Sequence, residues 1–280
     1  MANENYVSAI NSDALFVPLK AATVYAAHEA SLFLGGNLIP VVNAPNGVLQ
    51  VPELAAVTAQ TVSAETNADL ESRLPADTKN TITCNLYGAR SVVRDLGNID
   101  LQEIGRSLGN AVAKAFDEDV IGVIGANTTE QENTESSRDL TVDEIFKAVG
   151  TIRGNGEMGQ LYGIVSTNVY SELMKDIGST SYAGGDFQTE ALRTGFMGNI
   201  GGVQMFVSSY LTDANAGLSS HNVQCAIFGA DAYRIAMQAN VNIEVQRRAA
   251  AVGNDVVASL HAKAGAIDAG RSVLIIDESA

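Results

Sequence analysis

The chain has 280 residues, 46% hydrophobic and 18% charged, with 32 acidic and 17 basic side chains and a formal charge of −15. That composition supports a packed core and excludes wholesale disorder. The acidity excludes phosphate-driven nucleic-acid binding, which needs clustered bases where this chain has only Arg247-Arg248 side by side.

No apolar run approaches the ~20 residues of a membrane-spanning helix. The opening Met-Ala-Asn-Glu-Asn-Tyr lacks the basic and apolar regions of a secretory signal, so folding in a cytoplasm is expected. Cys84 and Cys225 lie far apart and outside any C-x-x-C, which reads as two free, buried thiols.

In chain order, residues 1–12 read as an exposed arm and residues 21–34 as a short alanine-rich helix ending at Gly35-Gly36. Leu38–Val42 reads as a strand, followed by the turn Asn43-Ala-Pro-Asn-Gly47 and a segment Val48–Pro52 that pairs back. Residues 57–87 read as a long polar hairpin, with strands at Val57–Thr66 and Thr78–Tyr87 and a charged tip between them. Ile82, Cys84 and Leu86 alternate along one thin apolar face. Such a hairpin does not stand alone in water. A neighbouring molecule that buries it accounts for it, which points to assembly rather than catalysis.

Leu101, Ile104, Leu108, Val112, Phe116, Val120 and Ile124 fall three or four apart, the signature of one long amphipathic helix. Asp100 and Glu103 open it and Gly125 is the expected stop. Gly105, Gly109 and Gly122 weaken it intrinsically, so they read as places where another backbone comes close. Residues 127–139 read as a polar surface loop. A second helix follows, with Thr141-x-x-Glu144 at its start and Gly154 at its end. Leu161–Val165 reads as a strand, and a short helix carrying Val169, Leu173 and Met174 stops at Gly178. Residues 179–200 read as flexible and polar. Val203–Val207, Ala226–Phe228 and Val273–Ile276 read as strands, Asp231–Met237 as a short helix, and Ile243–Arg247 and Asp255–Lys263 as extended or partly helical.

Several motifs resemble chemistry. Gly105-Arg-Ser107-Leu-Gly109 matches the G-x-S-x-G elbow, but the elbow needs a strand, a turn and then a helix, and Ser107 sits inside helical periodicity. Gly154-Asn-Gly-Glu-Met-Gly159 matches G-x-G-x-x-G, yet it follows a helix and precedes a strand, the reverse of a dinucleotide fingerprint. His28-Glu29 opens like a zinc-protease motif, but Leu32 stands where the second histidine belongs, and His221 and His261 are remote. Asp117-Glu118-Asp119 is a carboxylate cluster without a partner motif; Asp117 and Glu118 are expected to face water and Asp119 to pair with a base. No catalytic, cofactor or metal residue is therefore assigned. Arg90 and Arg94, beside the hairpin base, and Arg73, near its tip, are candidate intersubunit contacts together with Ile82, Cys84 and Leu86.

These segments, in this order, resemble the major capsid proteins of tailed bacteriophages with the HK97 fold. The resemblance covers residues 30–277. It rests on the hairpin leading into Tyr87-Gly-Ala-Arg-Ser-Val-Val-Arg-Asp95 and on the helix containing Ala115-Phe-Asp-Glu-Asp-Val-Ile-Gly122. It rests also on Leu192-Arg-Thr-Gly-Phe-Met-Gly-Asn-Ile-Gly-Gly-Val-Gln-Met-Phe-Val-Ser208 and on Phe228-Gly-Ala-Asp-Ala-Tyr233 through Arg247.

The resemblance implies an α+β fold with an N-terminal arm (1–30), an extended β-hairpin loop (57–87) and a peripheral domain (31–56 and 88–139) built on a spine helix (101–124). An axial domain (140–225) and a return to the peripheral domain (226–280) complete it. It implies self-association into hexamers and pentamers, an icosahedral shell around double-stranded DNA without sequence-specific binding, and a place in the virion head after assembly in the host cytoplasm. It also implies separate scaffolding and portal proteins, and in some relatives a decoration protein. Lys79 lies in the extended loop, but nothing specifies an asparagine partner for a cross-link. Encapsulin shells, which hold cargo enzymes, share the fold and are the sibling alternative. A serine hydrolase using Ser107 is the alternative from another class.

Overall fold

A computed structural model describes residues 19, 21–27, 31–35, 38–54, 77–94, 101–134, 139–179, 198–218, 222–248, 250 and 252–277. The fold is α+β. In chain order its elements are α1 (21–27), β1 (Val41–Asn43), β2 (Val48–Leu54), β3 (Asp77–Thr83), β4 (Asn85–Arg94) and α2 (Leu101–Asn127). Then come β5 (Thr129–Glu132), α3 (Val142–Gly154), β6 (Leu161–Ser166), α4 (Tyr170–Ser179), β7 (Asn199–Ile200) and β8 (Val203–Ser208). The single turn α5 (Asp213–Ala216), β9 (Asn222–Gly229), β10 (Tyr233–Arg248), β11 (Gly253–Ala266) and β12 (Ser272–Asp277) close the described chain.

The strands form three sheets: β1-β10-β11-β4, β5-β12-β9-β6-β8-β7, and the two-stranded ribbon β2-β3. One hydrophobic core joins α2 to the first sheet and continues onto one face of the second, through residues such as Phe116, Val120, Leu260, Phe228 and Leu274. A second core fills the opposite face of the six-stranded sheet, where α3 and α4 lay Ile145, Ile152 and Leu173 against Val165, Ile227 and Ile275.

The long helix forms as its apolar spacing predicts, but it runs through Gly125 to Asn127. Gly125 is buried under α5, and a β-carbon there would sit 2.3 Å from the Ala216 carbonyl oxygen. Its glycine serves close approach rather than termination. Gly105 and Gly109 do the same for the N-terminal segment. A β-carbon at Gly109 would lie 2.4 Å from the Thr23 carbonyl oxygen, and one at Gly105 2.9 Å from that of Leu19. Ser107 is therefore an exposed mid-helix residue, and the turn that an elbow serine requires is not there.

Strand pairing departs from the sequence reading in several places. Val48–Leu54 does not pair back on Leu38–Val42. Instead β1 lies parallel to β10, and β2 pairs antiparallel with β3 from Val48↔Thr83 to Leu54↔Asp77. The turn between them is as expected, with Gly47 at φ 71° and its N–H donated to the Ala44 carbonyl. The expected strand Val57–Thr66 lies outside the described residues, as do the tip with Arg73 and the stretch 180–197.

The expected strand Thr78–Tyr87 is broken at Cys84. β3 ends at Thr83, and β4 begins at Asn85 in a different sheet, antiparallel to β11. The supposed helix Asp231–Met237 is instead the start of β10. Tyr233, Ile235 and Ala236 are buried there, and pairing with β1 and β11 on both sides overrides local helix preference. The two stretches left as extended or partly helical are the long hairpin β10–β11. The supposed surface loop 127–139 contains β5, an edge strand parallel to β12, with Asn133 buried beyond it and hydrogen-bonded to Gln224 and the Asp139 carbonyl.

The boundaries expected at residues 140 and 225 cut through the six-stranded sheet. β5 pairs there with β12 and β12 with β9, and β9 itself spans residue 225. β12 is buried over Ser272–Ile276 and needs a strand on each side, so it draws its neighbours from segments far apart in sequence.

The β10–β11 turn carries Val252 at φ 46° and 57% exposed. A β-branched residue in the left-handed region is strained by about 1–3 kcal/mol. Val252→Asn, which tolerates that region, is expected to raise subunit stability by about 1 kcal/mol in urea unfolding.

Candidate functional site

The sequence candidates come from β3, β4 and the hairpin tip, and the structure separates them. Ile82 is 5% exposed and packs with Ala44 and Ala236 over Gly265, where a β-carbon would lie 2.4 Å from Ile82 Cγ1. Its apolar surface is buried within its own chain, which corrects the reading of Ile82 as part of a face left for a neighbour. Cys84 sits half-buried at the break between β3 and β4, its thiol 3.5 Å from the Ala236 carbonyl oxygen. Burial pushes that thiol above its ordinary pKa, which leaves it in the unreactive, protonated form. Cys225 is fully buried, as the sequence reading holds.

Leu86 is different. It begins the outward-facing row of β4 and is 66% exposed. On β4, Tyr87, Ala89 and Val93 turn toward α2 and the core; Tyr87 meets Phe116 edge to face with centroids 5.7 Å apart. By alternation, Leu86, Gly88, Arg90 and Val92 turn the other way. Their partners on β11 are His261, Ser259, Val257 and Asp255, and Asn242, Glu244 and Gln246 follow on β10. This is the face of the sheet opposite α2, and Leu86 and Val92 are exposed apolar residues on it.

Arg90 does not wait for an acidic partner from another molecule. Its guanidinium pairs with the Asp255 carboxylate through Nε at 2.7 Å and through Nη2. That hydrogen bond raises the Arg90 pKa and holds Asp255 below the usual carboxylate range. Arg94 pairs in register with Gly253 at the far end of β4.

The opposite face of the sheet is clamped to α2 by polar contacts. Asp119 accepts hydrogen bonds from Tyr87 Oη at 2.8 Å and from Lys263 Nζ at 2.6 Å, as the expectation of a base partner holds. Asp117 does not face water. It is 1% exposed and accepts from Ser31 Oγ at 2.6 Å and from the Leu32 N–H at 2.9 Å, so it fixes the turn that follows the N-terminal segment.

Burial lifts the Asp117 pKa to about 6 despite those hydrogen bonds. Its contribution to stability is therefore fully present below about pH 4 and lost as pH rises through about 6, a change on the order of 3 kcal/mol. Asp117→Asn is expected to flatten that part of the pH dependence. Urea unfolding of parent and variant subunits at pH 4.5 and pH 8 checks it.

Two further motifs are structural. Glu157, in the glycine-rich turn after α3, is buried and accepts from the Gly159 N–H at 2.7 Å and from Arg271 at 3.2 Å. The chain's own carboxylate thus takes a backbone donor that a dinucleotide phosphate would use. Glu144 is fully buried. Burial raises its pKa, but Lys147 at 2.6 Å and the Thr134 hydroxyl outweigh that and hold it below the ordinary value. Among the described residues, no group of three or more His, Cys, Asp or Glu side chains is placed to hold a metal ion, and no helix is long and apolar enough to cross a membrane.

The sequence reading missed Val92, Asp255, Val257 and His261 as members of the outward face. The period-two burial of Val256, Ala258, Leu260 and Ala262 was the available signal.

Residues 91–273 match the family model described as phage capsid protein. The chain belongs to the phage capsid protein family. It is a structural protein of a virus shell, an HK97-fold major capsid protein. No curated protein matches its sequence.

Solved structures share the fold at low identity. A capsid structure of the cyanophage P-SCSP1u aligns with a TM-score of 0.69 at 15% identity, over 88% of this chain and 88% of that one. A structure described as Mycobacterium phage Che8 aligns at 0.66 and 16% identity over 82% and 84%. A virus-like particle from Pyrococcus furiosus aligns at 0.64 and 11% identity over 92% and 97%.

Proposed function

We propose that this capsid protein forms hexamers and pentamers that tile an icosahedral head around double-stranded DNA. The observation that carries the reading is the family match over residues 91–273. The acidic chain suits enclosure of DNA without attachment to it, since like charge repels the phosphates. The sheet β1-β10-β11-β4 with the spine helix acts as the peripheral domain, and the six-stranded sheet with α3 and α4 acts as the axial domain, to which β5 and β12 bring strands from outside residues 140–225. The extended loop continues from the ribbon β2–β3 and lies on a neighbouring copy, and residues 1–30 are the N-terminal arm.

In this reading Leu86 and Val92 are the apolar intersubunit contacts. The Arg90–Asp255 pair presents a preset charge pattern beside them. Such patterns set register more than they add affinity. Arg73 and Arg94 supply further charged contacts. Many weak copies of one interface sum to a stable shell. A scaffolding protein, a portal and a decoration protein are the further partners, and the finished protein resides in the virion head after assembly in the host cytoplasm. The role is structural and involves no catalysis.

Negative-stain electron microscopy of the purified protein tests the reading, with uniform icosahedral shells as the expected result. Compact monomers under all assembly conditions would overturn it. The contents of particles made in the native setting separate a phage head, filled with DNA, from an encapsulin-type shell filled with protein.

A further inference from the structure

We propose that the cleft at one end of the six-stranded sheet binds an organic cation, an ammonium or guanidinium group. At this end β6 and β12 finish and β9 begins, with Asp277 opposite Asn222. The cleft has a volume of about 370 Å³, and Asp139, Glu172, Asp213 and Asp277 line it together with Ser166. Among the described residues no Lys, Arg or His lines it.

Two of the carboxylates are fixed by the backbone. Glu172 Oε2 accepts the Leu140 N–H at 3.3 Å, and Asp213 Oδ1 accepts the Val223 N–H at 2.6 Å. Each is thus oriented through one oxygen.

An independent observation points to a bound donor. Ser166 is 2% exposed and lines the cleft, and its hydroxyl has no hydrogen-bond partner among the described residues. Buried hydroxyls ordinarily find one. Carboxylates and a hydroxyl oxygen all accept, and ammonium and guanidinium groups are pure donors. A bare metal ion does not fit, because among the described residues no three carboxylates converge on one point. Charges spread over this volume suit an extended organic ion.

A free polyamine and a basic side chain of a neighbouring copy carry the same chemistry. The test titrates spermidine into purified, unassembled protein by calorimetry at about 0.15 M salt, where diffuse attraction is screened. Saturable binding at one site is expected. Glu172→Gln, which keeps an acceptor for Leu140, weakens it about tenfold through loss of a charge-assisted contact. Ser166→Ala weakens it about threefold, and Glu130→Gln on the exposed edge strand β5 leaves it unchanged.

Absence of saturable binding, or equal losses from the Glu130 and Glu172 variants, overturns the proposal. Should the Glu172 variant unfold, Ser166→Ala carries the test alone. Repeating the titration on assembled shells then identifies the source. Retained binding assigns a free polyamine, and lost binding assigns a neighbour's side chain already seated. Only this second arm depends on shell formation, so a protein that never assembles leaves the first arm decisive.

Discussion

Replacing residues 55–76 by a short Gly-containing turn is expected to leave a folded subunit that makes no shells. The replaced stretch joins Leu54 at the end of β2 to Asp77 at the start of β3, two residues paired in register. A tight hairpin connection closes such a pair without strain. The ribbon base is independent of what lies beyond it, because Ile82 is seated over Gly265 and Asn80 donates to the Ile267 carbonyl at 3.0 Å. The variant's thermal midpoint and far-UV circular dichroism should match those of the parent subunit. Sedimentation and negative stain should show no particles. Shells of parental yield would remove the extended loop from the account of assembly.

The second large effect is at Gly125. Helix propensity alone predicts that a larger residue within α2 gains about 1 kcal/mol over glycine. The structure predicts the opposite sign. A β-carbon there would lie 2.3 Å from the Ala216 carbonyl oxygen, 2.7 Å from its Cα and 2.8 Å from its carbonyl carbon. All three are backbone atoms, so no side-chain rotation relieves the clash, and α5 must move off the helix. Overpacking of this kind costs about 1–3 kcal/mol, and a β-branched side chain adds to it. Gly125→Val is expected to lower subunit stability by about 3 kcal/mol in urea. Gly150→Ala, also in a helix but open to space, is the control and gains a few tenths to about 1 kcal/mol. A Gly125→Val subunit as stable as the parent would mean that α5 does not pack where described.

What the sequence revealed follows from the range of the forces involved. α2 and α3 were legible because helical periodicity and the Thr141 cap are local, and the cap forms with the Thr141 hydroxyl accepting the Glu144 N–H at 3.4 Å. The partners of strands were not legible. β2 reads equally well as a partner for residues 38–42 or for β3, and only the turn and the core contacts of Ile82 decide it. β5 was hidden because Thr-Glu-Gln-Glu carries no apolar alternation. Its strand character comes from the exposed edge of β12, which an otherwise polar segment satisfies. Asp231–Met237 misled in the same way, since its alanine and methionine favour a helix until β1 and β11 are in place.

At the candidate surface, Leu86 was legible as an apolar residue in a polar arm. Its separation from Ile82 was not, because the break at Cys84 sends the two residues to different sheets. Asp117 was misread for a related reason. A carboxylate cluster on a helix normally faces solvent, and only the turn at Ser31–Leu32 gives it something to hold.

The position of β12 inside its sheet has a bearing on timing. Val273 pairs with Thr129 on one side and with Ile227 on the other. The sheet cannot close around its centre until the ribosome has released residue 277, and pairings so distant in sequence form slowly. While translation continues, the edges of β5 and β9 await that strand and the core between α2 and the sheet is incomplete. A nascent subunit therefore completes its six-stranded sheet, and the core shared with α2, only after β12 has emerged.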